Sequence, residues 1–223
     1  MRFEDADLSG AVFQNVNLQG ARFREAMLVN VRMSGLIHGL VINDIEVAPL
    51  IDAEMNRRYP ERAKLRPTDA AGMRAAWAVC EDLWLASKAR ASALPESMLH
   101  ERVDDEWSFL ESMRHLVMVT DAWIGVNVLG RSGQFHRFGV VPSFITEPPP
   151  EIDVNADPTF DEVVLAREDR MNVVRALVAG VTDASLDEKP SDNTVRHCLI
   201  AVFNEEWAHN RFANRDLDVL TSR

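Results

Sequence analysis

The sequence predicts a mainly α-helical protein in which a helical bundle follows a short N-terminal repeat segment. In the first 35 residues apolar side chains recur every five positions, a period that fits neither a helix nor a strand. Beyond Asn43, four long apolar-periodic stretches begin with helix-capping residues, and no strand-like alternation separates them. Apolar residues make up 47% of the 223 residues and charged residues 26%, which is typical of a globular chain with its own core.

The N-terminal repeat places a large apolar residue at every fifth position. These residues are Phe3, Leu8, Phe13, Leu18, Phe23, Leu28 and Met33. From Leu8 onward, a small or β-branched apolar residue stands two places before each of them. The stretch from Ala6 to Gly10, with the sequence ADLSG, resembles the A-[D/N]-L-x-x motif of the pentapeptide-repeat family. This resemblance implies a short right-handed, four-sided β-solenoid over residues 1–42, with the large and small apolar side chains pointing inward.

This repeat segment is too short to form a self-sufficient solenoid. Seven repeats make fewer than two turns of a four-sided coil, and solenoid repeats bury their apolar face only against neighbours. We therefore expect the segment to dock against the rest of the chain or a second subunit. Residues 1–45 contain four Arg and five Asp or Glu, so they carry only −1 of the net charge of −11. That near-neutral charge argues against an acidic mimic of duplex DNA.

Residues 43–223 predict the helical bundle domain. A short first helix ends near Pro60, because proline stops helices. The four long helices are expected from Thr68-Asp69 to about Pro95, from Trp107 to Leu129, from Phe160 to about Val178, and from Thr194 to about Leu220. The second of these starts with a capping box formed by Ser108 and Glu111. Residues 131–158 contain five prolines and predict a long loop, a feature that is usually functional or mobile.

Three side chains on two of these helices form a candidate metal site. Glu205 and His209 are four residues apart, so they share one helix face. His115 lies beside an apolar face of another helix and would supply a third ligand. Two histidines and one carboxylate suit zinc, nickel or iron, and three protein ligands leave a position open for substrate. A Glu–His pair at this spacing is also common on helices without a metal, and Cys198 on the same stripe is expected to be a buried core residue.

The residues around these positions resemble the DinB/YfiT-like family. The stretch from Trp107 to Leu116 is similar to its W-S-x-x-E-x-x-x-H-L motif, and residues 204–213 are similar to its last-helix H-x-x-x-H motif. The resemblance covers about residues 45–221 and implies an up-and-down four-helix bundle, often dimeric, in which three histidines bind zinc or nickel. It makes His115 the first ligand and His209 the last.

The middle ligand departs from the family pattern. Glu205 stands where the family usually has histidine, and Glu206 is the alternative carboxylate, three residues from His209. The substitution implies either a metal site with a harder oxygen donor or a bundle that has lost its metal. No sequence feature chooses between these two alternatives.

The resemblance implies two hypotheses for function. Characterised members of the family include transferases and isomerases that use a low-molecular-weight thiol. The first hypothesis is therefore a metal-dependent enzyme of the thiol S-transferase or isomerase type, acting on a small electrophilic molecule. The second is a non-catalytic helical bundle that serves protein interaction, with residues 1–42 as the docking surface. The apolar helices and the short solenoid also make a homodimer an expectation.

Composition argues against several other classes of protein. A net charge of −11 disfavours nucleic-acid binding, which needs a surplus of basic residues. We expect no transmembrane helix, since no uncharged apolar run of about 18 residues occurs, and no signal peptide, since no basic region precedes an apolar one. The only cysteines are Cys80 and Cys198, which predict no disulfide framework and a cytoplasmic location.

Overall fold

The computed structural model describes residues 1–222 and is mainly helical, as the sequence predicts. The helices are α1 (Ala48–Arg58), a 3-10 helix (Pro60–Leu65), α2 (Ala70–Ala91), α3 (Glu96–Leu99), α4 (Phe109–Thr120), a π-helical segment (Asp121–Val126), α5 (Phe160–Gly180), α6 (Asp183–Leu186) and α7 (Val195–Thr221). Among the described residues, none of these helices has the length and apolar character needed to span a membrane.

Each of the four long helices begins at a residue whose side chain caps its first turn. These capping residues are Asp69 for α2, Ser108 for α4, Thr159 for α5 and Thr194 for α7. Ser108 and Thr159 form reciprocal capping boxes with Glu111 and Glu162. Because a capping box satisfies two otherwise free backbone donors, it fixes where the helix starts. The predicted starts of the four long helices agree with the structure to within about two residues.

The four long helices pack around a shared core. Helix α2 contacts α7 and α5, and α4 contacts the same two helices, so the four form a closed ring. One buried cluster lies around Trp77 and Phe203, whose ring centroids are 6.1 Å apart. A second buried cluster surrounds Trp84 and Phe109 at 6.2 Å. The ring places α4 directly against α7, and these are the helices that carry the predicted ligands.

Helix α4 is shorter than the predicted helix from Trp107 to Leu129. Regular α-helix ends at Thr120, the next six residues form a π-helical segment, and Gly130 takes a left-handed backbone conformation with φ of 65°. Extra residues of this kind within a helix shift the direction in which later side chains point. Between α4 and α5, the structure confirms the predicted long loop over residues 131–158, where no helix or strand is found in the described chain.

The N-terminal residues 1–36, here called the repeat segment, repeat a turn geometry every five residues. Left-handed backbone conformations occur at Asp5, Gly10, Asn15, Gly20, Glu25, Asn30 and Gly35. The Leu8 and Leu18 carbonyls accept hydrogen bonds from the amides of Ala11 and Ala21. In both turns glycine occupies the third position with φ near 75°, as a type II turn requires. The five-residue period in the sequence therefore corresponds to a real period in the backbone.

The predicted β-solenoid, however, is not formed. Strand pairing in residues 1–222 is confined to a two-residue hairpin of β1 (Val41–Ile42) and β2 (Ile45–Glu46). Every residue of the repeat segment is exposed, and the seven large apolar residues of the repeat keep 45–60% of their surface accessible. With fewer than two coils, there is no stack of neighbouring coils on which a ladder and a core could form. The segment also contacts the helical domain, where the Gln14 side chain donates to the Asp105 carbonyl at 3.2 Å.

Candidate metal centre

The three predicted ligands, His115, Glu205 and His209, come together where α4 packs against α7. One donor atom from each residue lies within 4.8 Å of the donor atoms of the other two. The Glu205 Oε2 atom is 3.7 Å from His115 Nε2 and 3.3 Å from His209 Nε2. The carboxylate therefore lies between the His115 imidazole of α4 and the His209 imidazole of α7.

A backbone carbonyl of the long loop orients the His115 ring. His115 is 5% exposed, and its Nδ1 atom lies 3.0 Å from the Val140 carbonyl oxygen. Because a carbonyl only accepts hydrogen bonds, Nδ1 must carry the proton, and Nε2 is the atom that faces Glu205. A histidine that ligates a metal commonly donates its other ring N–H to a carbonyl in this way.

The loop that provides this carbonyl is itself held against α4. Arg114, the residue before His115, donates from Nε to the Phe138 carbonyl at 2.9 Å. The Val140 amide in turn donates to the Arg114 carbonyl. The orientation of His115 therefore depends on contacts made at two points of the loop.

The carboxyl group of Glu205 is held in its charged form. The neighbouring imidazoles of His115 and then His209 lower the pKa of Glu205 to about 2, and they outweigh the opposing effect of burial. A carboxylate must be deprotonated to bind a metal. A divalent ion bound here would be held by the Nε2 atoms of His115 and His209 and by the Glu205 carboxylate.

The chemistry and spacing of the donors fit one divalent ion. Ligand atoms about 2.1 Å from a tetrahedral ion lie roughly 3.4 Å from each other. The two distances from Glu205 are close to that value. Two imidazole nitrogens and one carboxylate oxygen match the ligands of zinc, nickel and iron sites. The residues present therefore fit the group that the sequence led us to expect.

Trp107 covers one side of the two histidines. Its ring centroid is 4.6 Å from that of His115 and 5.8 Å from that of His209, and the second pair is stacked at 23°. Trp77 and Trp84, by contrast, are buried in the core. Trp107 instead borders the site. Its position as the first residue of the motif that contains His115 was the only sequence signal for this role.

The alternative carboxylate, Glu206, is not part of the site. It is 1% exposed and forms two hydrogen bonds, of 2.7 and 2.9 Å, with Nη2 of the equally buried Arg167 on α5. Burial raises the pKa of Glu206, and the charge of Arg167 opposes that rise. One residue of helix is a rotation of about 100°, which turns Glu206 away from His115 and toward α5. Of the two glutamates, Glu205 is therefore the one that lies beside both histidines.

The site opens to solvent on the side of Glu205. The Glu205 side chain is 42% exposed, compared with 16% for His209 and 6% for His115. A small molecule can thus approach the ligand atoms past the carboxylate. The cavity of about 140 Å³ lined by Asp121 and Arg170 lies elsewhere and includes none of the three ligands. Cys198 is fully buried in the core, as predicted, and burial raises the pKa of its thiol.

Comparison with known protein families agrees with both halves of this architecture. The DinB superfamily model matches residues 46–213, and the pentapeptide-repeat model matches eight copies over residues 2–35. No curated protein and no solved structure matches the chain. The first match covers more than half of the chain, including all four long helices up to residue 213 and all three candidate ligands. This chain is therefore a member of the DinB superfamily that carries pentapeptide repeats at its N-terminus.

Proposed function

We propose that His115, Glu205 and His209 hold a divalent metal ion, zinc, nickel or iron, in a thiol-dependent enzyme. The activity would be an S-transferase or isomerase reaction of a small electrophile with a low-molecular-weight thiol. The observation that supports this proposal is the convergence of three ligand atoms within 4.8 Å on two packed helices. Superfamily membership supports it independently.

Each residue of the site has a separate task in this proposal. His115 and His209 provide neutral nitrogen donors, and the Val140 carbonyl keeps the His115 ring in the right orientation. Glu205 provides an oxygen donor with a full negative charge. Trp107 shields the histidines from water on one side, while the exposed edge at Glu205 leaves room for thiol and electrophile.

A bound divalent ion would supply a Lewis-acid position that favours the deprotonated, nucleophilic form of a thiol. In the transfer reaction the thiol sulfur forms a bond to the electrophilic carbon, and the leaving group departs with the bonding electrons. The thiol proton is released to solvent.

We propose a domain boundary after residue 42. The repeat segment and strand β1 lie before it, and an up-and-down four-helix bundle occupies residues 43–223. The ring formed by α2, α4, α5 and α7 supports the bundle. The two free, buried cysteines support a cytoplasmic location, because the cysteines of extracellular chains are usually oxidised to disulfides.

A non-catalytic interaction module is the second candidate function, favoured by the exposed apolar residues of the repeat segment.

Elemental analysis of protein prepared without a metal-affinity tag or chelator tests the metal site. We expect about one equivalent of metal per chain, and its loss in His115→Ala and in Glu205→Ala. His197→Ala is the matched control, since His197 lies on α7 but is exposed and contacts Trp123 instead. Absence of metal after reconstitution with zinc, nickel and iron would contradict the proposal. Loss of metal in His115→Ala alone would show that Glu205 is not a ligand.

The reaction class is tested separately on the metal-loaded protein. A chromogenic aryl halide and a panel of low-molecular-weight thiols would report transfer as release of halide and formation of the aryl thioether. We expect turnover that a chelator abolishes and that His115→Ala lacks. Turnover that survives both changes would contradict the assignment of the reaction to this site.

A further inference from the structure

The exposed apolar surface of this molecule is concentrated in the repeat segment. Phe3, Phe13 and Phe23 keep 58–60% of their surface accessible, and half-exposed leucines alternate with them. An aromatic side chain buries about 150–250 Å² in full, so three rings that are only about 60% exposed still offer roughly 350 Å². With the leucines, the surface approaches the roughly 800 Å² per partner of a stable protein interface. A patch of this size marks an interaction site.

The charge of the repeat segment narrows the choice of partner. Residues 1–36 contain four Arg and four Asp or Glu, so their net charge is zero, while the other residues carry −11. Nucleic acid and anionic lipid both need a basic surplus, which this surface lacks. The helical domain of the same chain does not cover the segment either, since every residue of the segment is exposed. The occupant must therefore be another apolar, nearly neutral protein surface.

The spacing of the segment points to a surface of the same kind. Its hydrogen-bonded turns at Leu8 and Leu18 are ten residues apart, and its three phenylalanines follow the same ten-residue spacing. A second copy presents apolar side chains at the same spacing. Each phenylalanine ring of one copy can therefore contact an apolar side chain of the other. Repeat units bury their apolar faces against neighbouring repeats, and here the chain is too short to provide those neighbours.

We propose that the repeat segment is a self-association surface that binds the repeat segment of a second copy of this chain. The same patch is used on both copies, so the interface is isologous and closes as a dimer. The segment's zero charge avoids repulsion at the contact. The strongly acidic remainder of each chain disfavours association through other surfaces at low salt.

Sedimentation velocity of the full-length protein tests this proposal. We expect a concentration-dependent dimer for the wild type, and association weakened roughly tenfold or more in the double variant Phe13→Glu and Phe23→Glu, because central aromatic residues dominate interfaces. Phe144→Glu is the matched control, since Phe144 is an 80% exposed phenylalanine of the long loop. A wild type that stays monomeric, or a double variant that associates as well as the wild type, would overturn the proposal.

Spin labelling provides a second test that does not disturb the apolar residues of the repeat. Val12 is 85% exposed, and both native cysteines are fully buried, so Val12→Cys can be labelled selectively. We expect strong dipolar coupling between copies that disappears when labelled protein is diluted with unlabelled wild type. Val154→Cys, in the long loop, should show weaker coupling. Coupling that is stronger at Val154 than at Val12 would place the interface outside the repeat segment and refute the proposal.

Discussion

The repeat segment and the helical domain use apolar residues in opposite ways. Leu18 of the repeat segment is 51% exposed, whereas Leu199 of α7 is completely buried. A helical period of 3.6 residues gathers apolar side chains on one face, and several such helices in one chain can cover each other. A period of five fixes a series of turns but provides no second surface within so short a chain. The five-residue period therefore determines the backbone turns of the repeat segment. Burial of its apolar side chains requires a second surface to pack against.

The largest expected effect concerns a charged pair found in the helical domain. Arg167→Leu leaves Glu206 buried without its partner, so we expect a loss of about 3–5 kcal/mol in the free energy of unfolding. The control is Arg175→Leu, which breaks the half-exposed pair with Glu81 and should cost less than about 1 kcal/mol. Urea denaturation of both variants measures the difference. Equal losses would show that the buried pair contributes no more than a surface pair.

The comparison of the two leucines can be tested directly. Leu199→Ala creates a cavity in a closed core and should lower the free energy of unfolding by about 2–5 kcal/mol. Leu18→Ala removes a half-exposed side chain and should cost less than about 1 kcal/mol at a protein concentration where the chain is monomeric. Denaturation followed by far-UV circular dichroism reports both values. A large loss for Leu18→Ala in the monomer would mean that the repeat segment has a core of its own.

Metal binding should stabilise the helical domain. An ion present at about 100 times its dissociation constant adds roughly 2.7 kcal/mol to the free energy of unfolding. We expect a chelator to lower the melting temperature of the wild type but not that of Glu205→Ala. Differential scanning calorimetry with and without chelator provides the measurement. A chelator effect of the same size in Glu205→Ala would separate the stabilisation from this site.

The smallest expected effect concerns the start of α4. Although burial acts to raise it, hydrogen bonds from Arg102 and Ser108 hold the pKa of Glu111 below its ordinary value. Its stabilising contribution is therefore complete above the pKa of the unfolded chain and is lost as the pH falls through the lower folded value. Glu111→Gln should cost about 1 kcal/mol at neutral pH and progressively less at acid pH. Denaturation curves of both proteins between about pH 7 and pH 3 would show a constant difference if Glu111 had no such role.

Much of this architecture was predictable because it depends on local chemistry. The capping residues Ser108, Thr159 and Thr194 fix where three long helices begin, and each can be recognised from a few neighbouring residues. Glu205 and His209 were found because a spacing of four places them on one helix face. His115 was selected because it lies beside an apolar helix face, and the resemblance of the surrounding motif supported that choice.

Other features were not predictable because they depend on contacts between distant parts of the chain. The Arg167–Glu206 pair joins two helices, and nothing near either residue identifies its partner. The ring contacts of Trp107 with the histidines depend on how α4 and α7 pack. The β-solenoid was predicted from the repeat, but strand ladders need adjacent coils that this chain does not contain.

The hydrogen bond from His115 to the Val140 carbonyl has a consequence for how the long loop can vary. Because the acceptor is a main-chain oxygen, the identity of the side chain at position 140 is irrelevant to it. Substitutions along the loop should therefore be tolerated as long as the backbone keeps its path. Insertions or deletions between Gly130 and Val140 would instead move the acceptor and release the imidazole. Between these two positions the loop is therefore constrained in length rather than in composition.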